Sequence, residues 1–315
     1  MKHLFIINPT AGGKDRTEEV RALTAEIFTE NEDYELYTTG YAGEAVAAVR
    51  AYAQSCDELR VYAVGGDGTL NECVNGAAGL PNVSVTCFPG GTGNDFVRMF
   101  GTEKDSFRDL EALVRGEVRP IDLIEVNGRY GINICSVGID ARIGARVHDY
   151  TKYPFIGGTK AYVCSLLANI WNGINQPMTI NYGSRVLDGD IALVCACNGR
   201  YYGGGFNPVP DARPDDGMID FIIVKDITLP KLPPLLMKYA KGRYKEIAEK
   251  YLVHYRGTEL SLSSPQELCI NIDGEEDRAH ELTFRMVPGG LKFIFPSQMA
   301  FFDAENEKNK AILSN

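Results

Sequence analysis

The sequence predicts two domains in series: an α/β domain built on a parallel sheet, then a mainly antiparallel β-sandwich. Three observations carry this. Over about the first 120 residues, short apolar runs alternate with helix-patterned segments, which implies strands joined by crossover helices. From about residue 123 the chain becomes strand-rich, with alternating apolar residues and short Gly, Asn and Asp turns. The 315 residues suffice for two hydrophobic cores. The expected boundaries are 1–122 and 123–297, with about 298–315 returning to the first domain.

HLFIIN (3–8) reads as a first strand ending in Asn-Pro. Residues 16–30 carry Val20, Leu23, Ile27 and Phe28 at helical spacing. YELYTT (34–39) is a second strand, GEAVAAVRAYAQ (43–54) an alanine-rich helix, and LRVYAV (59–64) a third strand. TLNECVNGAA (69–78) reads as a helix capped by Thr69, with Glu72 three residues on completing a capping box. NVSVTCF (82–88) is a fourth strand. The second half offers MTINYGSRVLDGDIALVCACNG, MIDFIIV, ELSLSS, ELCINIDGE, LTFRMV and LKFIF as strands, with helices near 158–175 and 231–250.

Composition removes several function classes. A net charge of −10 argues against nucleic-acid binding through the general surface. The eight cysteines (56, 73, 87, 135, 164, 195, 197, 269) are scattered, lack a CxxC pair and read as buried free thiols of a reducing cytoplasm. The first apolar run is too short for a secretory signal, and no stretch reaches the roughly 18 apolar residues of a spanning helix. Trp171 reads as a core residue, and His3, His148, His254 and His280 have no metal-ligand or triad spacing.

Three turn segments lie at the carboxyl ends of the expected strands, where open α/β sheets bind ligands: NPTAGG (8–13), GGDGTLN (65–71) and PGGTGNDF (89–96). A single Gly-Gly would be only a tight turn. Three at neighbouring strand ends suggest a phosphate cradle, since glycine permits close backbone approach and helix N-terminal amides favour an anion. Asp67 inside such a cradle makes sense with Mg²⁺ between carboxylate and phosphate. GxxxxGK[ST] is absent, and no GxGxxG opens the first helix, so common P-loop enzymes and dinucleotide dehydrogenases are disfavoured.

NPTAGG, GGDGTLNECVNG and PGGTGNDF, in this order and spacing, resemble the catalytic domain of the diacylglycerol kinase family. That family includes bacterial soluble diacylglycerol kinases, YegS-like lipid kinases, sphingosine kinases and ceramide kinases. VPDARPDDGMIDFIIV (209–224) resembles its P-x-A-x-x-D-D-G segment, and INIDGEE (270–276) its closing DGE motif. GGDGT alone also occurs in NAD kinases and phosphofructokinases; GTGNDF and DGE make the resemblance specific. It implies a Rossmann-like parallel sheet of NAD-kinase and diacylglycerol-kinase type, followed by the β-sandwich.

The resemblance further implies ATP along Asn8, Pro9, Thr10, Ala11 and Gly12, over Gly65, Gly66, Asp67, Gly68, Thr69, Leu70 and Asn71, and against Thr92. A threonine ending the second strand, Thr38 or Thr39, should help, with Thr39 favoured. A Mg²⁺ site is implied at the Arg213 carbonyl, Asp216 and the Met218 carbonyl. Transfer to an alcohol needs a proton acceptor. Asp273 and Glu275 are the candidates, with Glu275 the implied base, Asp273 its orienting or metal-linked partner, and Asp67 the residue managing the catalytic Mg²⁺.

The implied reaction is ATP-dependent phosphorylation of a lipid hydroxyl in the cleft between the domains, diacylglycerol to phosphatidic acid first among the options. Phosphatidylglycerol, a sphingoid base, a soluble substrate such as NAD, and a non-catalytic nucleotide-binding regulator remain alternatives. ITLPKLPPLLMKYAKGRYK (227–245) carries Lys231, Lys238, Lys241, Arg243 and Lys245 beside Leu232, Leu235, Leu236 and Tyr239. It could dock on an anionic leaflet or be a packed helix with a solvated lysine face. The expected location is cytoplasmic and peripheral to the inner membrane face. A homodimer is compatible with the sequence.

Overall fold

A computed structural model describes residues 1–29, 33–91, 93–139, 141–142, 173–297 and 299–301. Thr92, Cys164, Trp171, His148 and most of the helix expected at 158–175 lie outside the described residues. The chain forms two compact units: Met1–Pro120 with the described residues from Lys292 onward, and Ile121–Leu291.

The first unit is a parallel sheet. Its strands are β1 (Lys2–Ile7), β2 (Asp33–Thr38), β3 (Leu59–Gly65) and β4 (Val83–Pro89), in the order β4-β3-β1-β2. β3 and β4 are buried along almost their whole lengths, which is why they read as continuous apolar runs. β2 is the edge and carries charge, with Lys2 of β1 pairing Asp33 and Glu35. The last turns of a long strand, β13 (Glu275–Phe295), lie parallel to β4 with Lys292 beside Ser84 and Phe293 beside Val85. Phe293 and Phe295 pack there against Phe96, Phe100 and Phe107.

Helices α1 (Thr17–Ile27), α2 (Glu44–Ala53) and α3 (Asp67–Ala77) follow successive strands, with short helices α4 (Asp95–Arg98) and α5 (Leu110–Val114) after β4. The start of α3 corrects the sequence reading. The helix begins at Asp67, Gly66 is its N-cap, and Thr69 is buried inside the first turn. An acid at the first helical position offsets the positive end of the helix dipole. Glu72 caps a neighbour instead: its carboxylate accepts from Gly43 N at 2.8 Å and Ala45 N at 3.2 Å, at the start of α2.

The second unit is an antiparallel sandwich. It adds β5 (Glu117–Val126), β6 (Arg129–Gly131), β7 (Ile134–Gly138), β8 (Gln176–Tyr182), β9 (Arg185–Cys197), β10 (Ile219–Lys225), β11 (Leu252–Gly257) and β12 (Glu259–Ile272). The order is β11-β10-β9-β7-β12-β13, with β8 joining β9 and β12, and β5 pairing with β13 and β6. β9 explains the unbroken run IALVCAC. Val194 and Ala196 join one core cluster with Phe221 and Phe284, while Leu193, Cys195 and Cys197 join another on the opposite face. The helix expected over 231–250 is shorter: α6 spans Leu232–Ala240, Gly242 (φ +69°) ends it, and a single 3-10 turn follows at Tyr244–Glu246. Among the described residues the cysteines are free thiols, all buried except the half-buried Cys56. Burial pushes the Cys73 and Cys87 thiols well up, so neither is a reactive thiolate. No helix among the described residues is long and apolar enough to cross a membrane.

Candidate functional site

Three strand-end loops of the first unit pack backbone on backbone. Asn8 N donates to Val64 O at 3.0 Å, and Asn8 Nδ2 donates to Thr69 Oγ1 at 3.3 Å. Asn8 Oδ1 accepts from Thr10 N and Thr10 Oγ1 at 3.1 and 2.9 Å, which shapes the turn through Pro9 and Ala11. The Gly90 and Gly91 amides both donate to Gly65 O, at 2.7 and 3.1 Å. Gly12 has φ +63°, and a side chain there would strike the Gly90 carbonyl oxygen. A side chain on Gly91 would reach within 2.5 Å of Gly66 Cα. The glycines therefore admit one another before they admit any ligand. Thr39 N and Thr39 Oγ1 donate to Ile7 O at 2.9 and 3.3 Å, which seats Thr39 beside the end of β1.

Asp67 lies within this cluster. Its Oδ1 accepts from Asp95 N at 2.8 Å and Phe96 N at 3.4 Å, and a side chain on Gly93 would come within 2.8 Å of its Oδ2. Asp67 thus ties the loop after β3 to the loop after β4. Gly68 lies in the first turn of α3, whose amides have no acceptor in their own helix and suit an anion. Leu70 and Asn71 are buried; Leu70 belongs to the core, and Asn71 accepts from Asn75 Nδ2. Of the residues expected along a nucleotide, Asn8, Thr10, Gly12, Thr39, Gly65, Gly66, Asp67 and Thr69 are brought together. Thr92 lies outside the described residues.

Two charged residues join the cluster without having been singled out for a charge role. Asp95 is buried and pairs with Arg98 at 3.1 Å, and Arg98 Nη2 donates to Gly93 O at 3.1 Å. The signal was GNDFVR itself, an acid and a base one helical turn apart.

The second unit holds the remaining carboxylates. Asp273 occupies the turn between β12 and β13 at φ +52°. It accepts from three backbone amides: Ile132 N at 2.7 Å, Asn133 N at 3.0 Å and Ile134 N at 3.0 Å. Glu275, two residues on, opens β13 with an exposed side chain. Asp273 is thus an anchor for the entry to β7, and Glu275 is the accessible carboxylate of the pair. Asp122, which the sequence reading passed over, is buried and accepts from Gly217 N at 2.7 Å and Gly289 N at 2.8 Å.

The Asp215-Asp216-Gly217 turn gives a mixed answer for Mg²⁺. One carboxylate with neighbouring carbonyls and water is suitable donor chemistry. Asp216, however, already has both oxygens engaged: Oδ1 accepts from Met218 N at 3.0 Å and Oδ2 from Arg256 Nη2. Arg213, whose carbonyl was the expected ligand, turns its guanidinium onto Asp215 at 2.9 and 2.8 Å. Burial pushes the Asp216 carboxyl up against the opposing pull of Arg256. With a guanidinium in contact, this arrangement does not fit a divalent cation.

The basic segment is partly neutralised. Lys238 donates to Glu246 O at 3.1 Å, Arg243 pairs with Glu246 at 2.5 Å, Lys245 pairs with Asp211 at 3.3 Å, and Lys231 stands 4.8 Å over the Tyr251 ring. Leu232 and Tyr239 are core residues, whereas Leu229 and Met237 are 51% and 61% exposed.

A parallel sheet carrying glycine loops at its strand ends, followed by an antiparallel sandwich, is the architecture of a kinase of the NAD-kinase and diacylglycerol-kinase fold. Residues 2–126 match the diacylglycerol kinase catalytic domain, and residues 133–295 match the YegS C-terminal NAD kinase beta sandwich-like domain. The chain belongs to the diacylglycerol kinase and YegS-like lipid kinase family. It is 30% identical over 241 residues to a Shewanella frigidimarina protein called "probable lipid kinase YegS-like", covering 75% of this chain and 76% of that one. It is 28% identical over 274 residues to the diacylglycerol kinase of Bacillus subtilis, covering 86% and 88%. In fold it resembles a Bacillus anthracis diacylglycerol kinase structure (TM-score 0.67, 23% identity, 95% and 98% covered). A yeast NADH kinase complexed with NADH shares the fold at TM-score 0.50 and 11% identity, covering 100% and 89%.

Proposed function

We propose that this chain transfers the γ-phosphate of ATP to a lipid hydroxyl, with diacylglycerol as acceptor and phosphatidic acid as product. The mutual packing of the three strand-end loops, Gly12 against Gly90, and Gly90 and Gly91 against Gly65 and Gly66, carries the reading, together with membership of a lipid kinase family that implies ATP as donor. The triphosphate lies along Asn8–Gly12 and Gly65–Thr69, with Thr39 beside it; Leu70 and Asn71, expected there too, are buried inside α3 instead. Mg²⁺ accompanying the triphosphate would neutralise charge as it develops, with Asp67 as its carboxylate neighbour. Glu275 accepts the proton of the lipid hydroxyl as that oxygen bonds to the γ-phosphorus. The bond between the γ-phosphorus and the β,γ-bridging oxygen breaks, and ADP leaves. The exposure of Glu275 supports it as base over Asp273, whose oxygens already accept three amides.

Access to such an acceptor requires contact with the inner membrane face. Exposed Leu229 and Met237, with Lys241 nearby, support the 227–245 segment as that contact. The test is transfer from γ-labelled ATP to diacylglycerol, phosphatidylglycerol, sphingosine and NAD, the lipids in mixed micelles, by wild type and Glu275→Gln. Labelled phosphatidic acid made only by wild type is the expected result. Label in NAD alone would overturn the lipid reading, and ATP binding without any product would leave a regulator.

A further inference from the structure

We propose that Arg256 takes the place of a divalent cation at the Asp215-Asp216-Gly217 turn, so that this turn is held by the chain's own charges. The register places it there. Arg256 on β11 is the cross-strand partner of Asp220 on β10, four residues after Asp216. Its guanidinium reaches in two directions. Nη2 donates to Asp216 Oδ2, and Nε lies 3.8 Å from Asp220 Oδ2. Asp220 Oδ1 is in turn 2.7 Å from His254 Nε2.

A planar guanidinium fork suits two carboxylates that share one side. Mg²⁺ asks instead for octahedral geometry with several waters. To enter, the ion would have to displace Arg256 from Asp216 and leave Asp220 with His254 alone. The other half of the turn is balanced in the same way. Arg213 grips Asp215 through Nε and Nη2, so two arginines serve the three acids Asp215, Asp216 and Asp220. Asp122 fixes the backbone from the far side through Gly217 N. Asp216 is only one-fifth exposed, and the Arg256 guanidinium offsets part of the cost of holding its charge there.

The experiment uses the full chain without nucleotide or acceptor, so its outcome is independent of the kinase reading. Thermal unfolding is followed in EDTA and in millimolar Mg²⁺. Bound Mn²⁺ is counted by electron paramagnetic resonance. Wild type should melt at the same temperature in both buffers, and Asp216→Asn should not change its Mn²⁺ count. Arg256→Met should melt several degrees lower in EDTA and recover in Mg²⁺, because removing the guanidinium opens the turn to metal. It should also bind one further Mn²⁺ per chain, lost again in Arg256→Met/Asp216→Asn. Wild-type Mn²⁺ binding that Asp216→Asn abolishes would overturn the proposal, as would an Arg256→Met protein with the wild-type melting temperature in EDTA. If Arg256→Met does not fold, the wild-type and Asp216→Asn counts decide alone.

Discussion

The strand-end loops of the first unit and the acidic turns of the second are organised on opposite principles. In the first, backbone meets backbone, and the side chains that matter are those that are missing: Gly12, Gly66 and Gly91 let three turns touch. In the second, carboxylates hold backbone. Asp273 gathers three amides, Asp122 gathers two, and Asp216 is shared between an amide and a guanidinium. A glycine required by close approach has one explanation. An aspartate in a turn has several, because anchor, ligand and base all use the same oxygens. The comparison therefore bears on how far a motif can be trusted to name a role.

The sharpest test separates two carboxylates two residues apart. Glu275→Gln should lower phosphoryl transfer by about 10²–10⁴-fold while leaving the urea midpoint within the scatter expected of an exposed site. Asp273→Ala should do its damage in folding. Three amides lose their acceptor, and stability should fall by about 3 kcal/mol, read from urea unfolding. If Asp273→Ala unfolds like wild type but loses transfer, the anchor reading fails.

Gly91→Val attacks the other region. The new side chain must push the Gly66 backbone away, with an expected cost of about 2 kcal/mol and weakened ATP binding in calorimetric titration. Unchanged ATP affinity would mean that the loops do not need their contact. A smaller effect is expected at Glu72, which acts as a carboxylate cap for α2. Glu72→Ala should cost about 1 kcal/mol in the same unfolding assay, and Thr69→Ala should not reproduce that loss through capping.

The mildest test is one of pH. Glu44 accepts from Gly40 N and Tyr37 OH, and these hold its carboxyl below the usual 4.5. A depressed folded value means that the stabilisation is present above 4.5 and is lost as pH falls through the folded value. Glu44→Gln should therefore narrow the stability difference between neutral and acidic buffer. An unchanged profile would remove Glu44 as a support for the Thr39–Gly40 turn.

Strand positions in both units were legible because burial on one or both faces writes itself into the apolar pattern, as in LRVYAV and IALVCAC. The start of α3 was not. Gly66-Asp67-Gly68 reads as loop, and only the neighbouring turn makes Asp67 a first helical residue. Glu72 was correctly marked as a capping residue but assigned to its own helix, since sequence spacing carries no information about α2. Asp122 and Arg256 were missed for a common reason. Their partners are far away in the chain, Gly217 and Gly289 for the first and Asp216 for the second. A lone charge in a strand carries no mark of that. Within 227–245 one segment divides, with Leu232 inside and Met237 outside, a split that its apolar spacing did not mark.

The end of β13 carries a consequence for how this protein can be made. Phe293 and Phe295 complete the core around Phe96, Phe100 and Phe107, yet they are synthesised after the whole sandwich. On the ribosome, the first unit waits until the whole second unit has been made before its sheet gains Lys292 and Phe293, while the second unit has all its residues earlier. A fragment ending at Pro120 would expose an apolar flank on β4, and it should aggregate on expression rather than yield a free nucleotide-binding domain. Dissecting this enzyme therefore calls for point substitutions or a permuted chain that brings 292–301 next to residue 1, not for cutting at the boundary between the units.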